Sequence, residues 1–222
     1  RPSVDTRHPD LPLALHLSAT HATLYADTSG EALFKRGWRD AGAQKGEAPL
    51  KETLAAAIVS AAGYAGGDPP LPVVDLCCGS GTLLCEGGLR ALGIAPGLSR
   101  QFGFMAWRSF DAGLWQRLKK EAQEQQRAAS GPFLFGADLD GRVLQTAQRS
   151  LEAAGLMKYA RLACGDLRDA EPPPGRGGVV ICNPPYGERL GDAAELVELY
   201  RGLGDTLKRR FVGYTAYVFT AN

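Results

Sequence analysis

A chain of 222 residues is long enough for one well-buried domain with an appendage, and too short for two full-sized domains. Its 25 basic and 24 acidic side chains nearly cancel, which excludes a protein that coats a duplex by charge alone. Contact with nucleic acid must then be local or assisted by another domain. No apolar run approaches the ~20 residues of a membrane span and no signal peptide opens the sequence, so a cytoplasmic protein with no membrane partner is expected. The cysteines (Cys77, Cys78, Cys85, Cys164 and Cys182) form no CxxC pair, and His8, His16 and His21 lack an acidic partner at a zinc-like spacing. Buried reduced thiols, surface histidines and no metal follow.

In chain order, Arg1 to about Asp40 is strand-like: Leu11, Leu13, Leu15 and Leu17 alternate with other residues, and Thr23-Leu-Tyr-Ala pairs with them after a turn near Ser18–His21. This segment is too small for its own core. Phe34-Lys-Arg-Gly-Trp-Arg39 mixes aromatics with cations, as an RNA contact does, and is equally a solvated connector. Residues 41–47 form a linker. From Pro49 the pattern becomes helical, with proline at the start and an apolar period over the residues that follow. Strand, glycine-rich turn and helix come next, in Val73-Val-Asp75 through Glu86. Further strands are expected at Phe133–Ala137, Tyr159–Cys164, Val179–Cys182 and Tyr214–Thr220, with helices at Asp111–Ala129, Arg142–Ala154 and Ala193–Arg210. That alternation predicts an α/β fold, a doubly wound, mostly parallel sheet with helices on both faces.

In such a sheet ligands bind beyond the carboxyl ends of the strands. Asp75 closes the first strand ahead of Gly79 and Gly81, whose missing side chains let a ligand approach the backbone. Asp138 closes the second, where an acid accepts both hydroxyls of a ribose, and Asp166 closes the third, placed to accept from an adenine amino group. The fourth ends in Asn183-Pro184-Pro185-Tyr186, where two prolines lacking N–H groups stop the ladder. The turn has neither the third glycine of a dinucleotide fingerprint nor Gly-Lys-Ser/Thr, which disfavours NAD and ATP. S-adenosylmethionine needs ribose, adenine and a charged tail but no pyrophosphate cradle, and fits this set.

These residues resemble the class I methyltransferases with a Rossmann-like fold, and within them amino-group methylases with an Asn-Pro-Pro-Tyr motif. More narrowly, the chain resembles the catalytic domain of bacterial THUMP-containing 23S rRNA guanine-N2 methyltransferases. The matching stretches are Leu33–Arg39, Ala48–Val59, Cys78–Leu84 and Asn183–Leu190. The resemblance implies a β-rich THUMP remnant and linker over residues 1–47, and a methyltransferase domain over 48–222 that lacks its last strand hairpin. It also implies S-adenosylmethionine as cofactor, 23S rRNA as partner, and cofactor contacts from Lys51, Thr53, Asp75, Cys78, Gly79, Ser80, Gly81, Thr82, Asp138, Leu139, Asp166, Leu167 and Asn183. For catalysis it implies that the Asn183 amide oxygen and the Pro184 carbonyl accept the two N–H bonds of an exocyclic amine, with Pro185 fixing the turn and Tyr186 stacking on an extruded base. The same motif admits adenine-N6 or glutamine-N5 methylation, and a non-catalytic RNA-binding module with a vestigial pocket is the reading from another class. An insertion over residues 92–132, rich in aromatics, separates Asp75 from Asp138; it is either a wall over the base or the packing of an inserted helix. The residues specify no oligomeric state.

Overall fold

The computed structural model describes Asp5 and residues 9–39, 50–175, 177–186 and 193–220. His8, the linker at 41–47 and the run at 187–190 lie outside the described residues. Strands β3 (Val73–Asp75), β4 (Leu134–Asp138), β5 (Ala160–Cys164), β6 (Gly178–Cys182) and β7 (Tyr214–Val218) form one sheet in the order β5-β4-β3-β6-β7. Every neighbouring pair is parallel. The doubly wound α/β expectation holds, because the central strands β3, β4 and β6 supply apolar runs that suit burial, while the edge strands β5 and β7 are more exposed. The sheet grows outward from β3 in both directions. Its strand order therefore reverses between β3 and β6, and a crevice opens beyond their carboxyl ends.

Alternation along the strands divides the core in two. Val73 and Ile181 point to the face covered by α1 (Glu52–Ala61), α2 (Thr82–Ala91) and α4 (Gly141–Ala153), where Val59, Leu84 and Leu151 are buried. Val74, Val180 and Cys182 point to the other face, under Leu203 of α5 (Ala193–Arg209) and Phe211. Cys78, Cys85 and Cys182 are buried and all five thiols are free. Cys164 departs from the expectation of burial and is exposed, since it ends an edge strand with no neighbour beyond it.

The segment Phe34–Arg39 is neither a solvated connector nor an open RNA contact. Trp38 is buried in the larger core. Arg36 Nε meets Glu86 Oε1 at 3.1 Å, and Arg39 Nη1 lies 3.5 Å from Glu52 Oε2, both acids being almost fully buried. Lys51 Nζ sits 5.6 Å over the Phe34 ring. Arg36 and Arg39 are thus engaged by the helices that open the α/β body, while Lys35 pairs with Glu31 at the surface.

Upstream, β1 (Leu13–Leu17) and β2 (Ala22–Ala26) make an antiparallel hairpin closed by reciprocal bonds between Ser18 and His21. Register places Leu13, Leu15, Leu17 and Leu24 on one face, and all of them are exposed. His16 and His21 are exposed, as expected of surface histidines. The insertion forms α3 (Ala112–Glu124), capped by the Asp111 carboxylate on Leu114 N–H at 2.8 Å. Its aromatics pack on one another: the Phe102 and Phe104 rings stack at 5.2 Å, with Trp115 edge-on to both at 5.6 and 5.4 Å. Arg100 ties this layer to the hairpin's exit by donating to the carbonyls of Glu31, Ala32 and Lys35. The aromatics therefore enter neither sheet core, and Phe104, Trp107, Phe110 and Trp115 line an open groove of about 320 Å³.

Candidate active site

The crevice holds a cavity of about 540 Å³ lined by Leu76, Cys77, Asp138, Leu139, Gly165, Asp166, Leu167, Arg168, Pro185, Glu195, Glu198 and Leu199. Four sequence-predicted cofactor residues and one residue of the Asn-Pro-Pro-Tyr turn meet there, contributed by the ends of β4, β5 and β6. Leucines supply apolar walls and carboxylates stand at the edges, a combination suited to a flat heteroaromatic group carrying hydroxyls and an amine.

Each strand end is fixed locally. Asp75 is fully buried at the end of β3, and its carboxylate accepts from the Cys77 N–H at 3.1 Å. Burial, the largest influence, pushes its pKa up to about 8, with a smaller rise from the nearby Asp138 charge. Asp138 accepts from Gly79 N–H at 2.9 Å on one oxygen and from Asp140 N–H at 3.1 Å on the other. A carboxylate has about four acceptor sites, so two remain for a diol. These bonds also dock the glycine turn onto β4. Asp166 is held differently from the simple expectation. Arg168 grips it through its backbone N–H, its Nε at 2.9 Å and its Nη2, and this bonding holds the carboxyl down to about 2. Asp166 is therefore an ionised acceptor, but Arg168 shares it.

The glycine turn separates two roles. Gly79 has φ +53°, and a Cβ built on it would meet nothing within 4 Å, so its open side is available to a ligand. Gly81 has φ +77°, and a Cβ there would lie 3.2 Å from Ala147 Cβ and press on α4. Gly81 is also the N-cap of α2, with no side-chain cap hydrogen bond at the helix start. Ser80 Oγ and Thr82 Oγ1 lie 3.1 Å apart, and Arg39 Nη2 donates to Thr82 Oγ1 at 2.8 Å. Cys78 turns its side chain into the larger core, its thiol donating weakly to the Gly79 carbonyl at 3.9 Å, while its own carbonyl accepts from Gly81 N–H at 2.8 Å. Thr53 is exposed and Lys51 is stacked on Phe34, so neither lines the cavity.

The Asn183 side-chain oxygen is buried and accepts no hydrogen bond. Leaving such an acceptor unsatisfied costs about 1–3 kcal/mol, so it is poised for a donor from outside the chain. Pro184 beside it is fully buried. Tyr186 is half-buried, its ring edge-on to Phe219 at 6.3 Å. Sequence reasoning missed Leu76, Cys77, Arg168, Leu199 and Phe219. Leu199 carried a weak signal, lying one turn from the buried Leu203 on the apolar stripe of α5. Phe219 carried none, because only the pairing of β7 with β6 brings it to the turn. Among the described residues no cluster of His, Cys, Asp or Glu could hold a metal ion, and no helix is long and apolar enough to cross a membrane.

Comparison with known proteins agrees with this fold. Residues 36–222 match the model of the family described as RMKL-like, methyltransferase domain. Ribosomal RNA large subunit methyltransferase K/L of Pseudomonas aeruginosa is 45% identical over 233 residues, which cover 99% of this chain and 31% of that protein. The protein of the same name from Methylococcus capsulatus is 43% identical, covering 100% of the chain and 30% of its own length. The chain therefore spans about a third of the length of these relatives. Among solved structures, SMU.472, described as a candidate methyltransferase complexed with SAH, superposes with a TM-score of 0.85 at 34% identity, covering 96% of this chain and 53% of that one. With the parallel sheet, the loaded strand ends and a family match over most of its length, the chain belongs to the RMKL-like methyltransferase domain family.

Proposed function

We propose that this chain is the methyl-transferring part of an S-adenosylmethionine-dependent rRNA methyltransferase that modifies the N2 amino group of a guanine in 23S rRNA. The observation that carries the amino-group reading is the buried Asn183 oxygen with no donor. An exocyclic amine offers two N–H bonds, and its lone pair is delocalised into the ring, which makes it a poor nucleophile. Asn183 Oδ1 and the Pro184 carbonyl accept those two hydrogens, so the nitrogen becomes more pyramidal and its lone pair turns out of the base plane. Tyr186 stacks on the base, which leaves its helix to be reached.

The cavity fits the cofactor by its chemistry. Asp138 has acceptor sites left for a ribose, Leu139 and Leu167 provide apolar walls, and Gly79 leaves open space beside the backbone. When bound, S-adenosylmethionine supplies an electrophilic methyl group on a sulfonium. No strong general base is required of the protein, because the methylated ammonium is acidic and loses its proton to water. Large-subunit rRNA as the target draws support from the K/L relatives' printed name, and guanine from the sequence resemblance alone.

The test is methyl transfer from labelled S-adenosylmethionine to 23S rRNA fragments by the full chain and by Asn183→Ala. Removing one such preorganised contact lowers the rate by on the order of a hundredfold. Equal rates in the two proteins would overturn the catalytic assignment.

A further inference from the structure

We propose that Phe219 is a positioning residue for the base-stacking tyrosine: it fixes the plane of the Tyr186 ring and so sets the affinity for the RNA base. The inference rests on the reading of Tyr186 given above and names a residue outside the motif. Its basis is the way β7 ends. Strands β6 and β7 pair in parallel from Gly178↔Tyr214 to Cys182↔Val218, and Phe219 N–H then donates to the Cys182 carbonyl at 2.9 Å. Pairing thus runs one residue past the end of β7, and Phe219 is pinned against Cys182, the residue that precedes Asn183.

The next residue is pinned as well. Tyr200 Oη on α5 donates to Thr220 Oγ1 at 3.2 Å, which ties the end of β7 to the helix that follows the Asn-Pro-Pro-Tyr turn. Between these anchors the Phe219 ring meets Tyr186 edge to face, with centroids 6.3 Å apart and planes at 79°. Edge-to-face geometry aims the positive rim of one ring at the negative face of the other, so it selects an orientation as well as a distance. A stacking platform needs that selection. A tyrosine at the end of a loop loses rotamer freedom each time a base settles on it, and a neighbour that holds the ring beforehand removes that cost from binding. The amine acceptors Asn183 and Pro184 belong to the turn itself, so loss of Phe219 leaves them in place.

The experiment is a double-mutant cycle on the full chain, read in steady-state methyl transfer to a 23S rRNA fragment and in cofactor affinity by calorimetry. Phe219→Leu removes the ring partner, Tyr186→Ala removes the platform, and the double variant removes both; Phe219→Trp restores an aromatic edge. An aromatic pair of this kind corresponds to about a two- to twelve-fold effect. Phe219→Leu therefore raises KM for RNA by that factor with kcat and cofactor affinity within twofold, Phe219→Trp recovers most of the loss, and Phe219→Leu has no further effect once Tyr186 is alanine. Phe219→Met replaces Phe219→Leu in the cycle if the leucine variant fails to fold. The proposal is overturned if the two substitutions act independently, if kcat falls while KM stays, or if cofactor affinity drops by the same factor. Failure of the functional reading looks different: Asn183→Ala then keeps wild-type activity, whatever Phe219 does.

Discussion

Asp75 is fully buried in this site, at the end of the central strand. Its pKa of about 8 means that the folded protein keeps a proton which the unfolded chain loses near pH 3.9. The stabilisation linked to that proton is complete below pH 3.9 and is lost as pH rises through about 8. Denaturant titrations across pH 4–9 should show stability falling over that window, and Asp75→Asn should flatten the slope. Asp166 has the opposite sign. Its pKa is held at about 2 by Arg168, so its contribution is present above pH 3.9 and disappears as pH falls toward 2. The carboxylate is partly exposed, which keeps this contribution small. The two glycines of the turn separate stability from binding. Gly81→Ala strains a left-handed residue and crowds α4, so it should lower the melting temperature clearly. Gly79→Ala meets no protein atom and should cost only the backbone strain of about 1 kcal/mol while weakening cofactor binding more, as calorimetry would show.

At the scale of elements, the unexpected contribution comes from the segment before the first helix. Glu52 on α1 and Glu86 on α2 are carboxylates carried into the larger core, and burial raises the pKa of Glu86 against the opposing pull of Arg36. Arg36 and Arg39 neutralise them from a stretch that the sequence alone presented as cationic and aromatic, the signature of an RNA contact. Composition could not tell the two apart, because an arginine beside a tryptophan looks the same whether it faces phosphate or a buried glutamate. Arg39→Ala should destabilise the fold by about 3–5 kcal/mol in chemical denaturation, since it leaves the Glu52 charge uncompensated. Arg39→Lys should recover only part of the loss, because lysine lacks the geometry that also serves Thr82 and the Leu50 carbonyl. Alternation of strand and helix, by contrast, was plain in the sequence from Pro49 onward, since buried parallel strands appear as unbroken apolar runs.

For the whole molecule, the sheet order is what turns scattered motifs into a site. Asp75, Asp138, Asp166 and Asn183 lie far apart in sequence, and only the parallel arrangement of β3, β4, β5 and β6 brings their strand ends to one edge. That much was legible, because each residue closes an apolar run and a doubly wound sheet puts such ends together. Contacts that depend on crossing the sheet were not. Leu199 in the cavity wall and Phe219 against Tyr186 come from packing between elements distant in the chain, whereas Arg168 reaches Asp166 from only two residues on, through a local turn that no motif records. The aromatic layer of the insertion lies between these cases: its residues were visible, while its anchoring to the hairpin exit through Arg100 depends on backbone carbonyls that no motif records.

The central claim is that the Asn183 turn presents a guanine amino group to the methyl donor. It is tested most directly by nucleoside mass spectrometry of 23S rRNA fragments incubated with the full chain and S-adenosylmethionine. The account predicts N2-methylguanosine from the wild type and none from Asn183→Ala; N6-methyladenosine in its place, or the same product from both proteins, would contradict it.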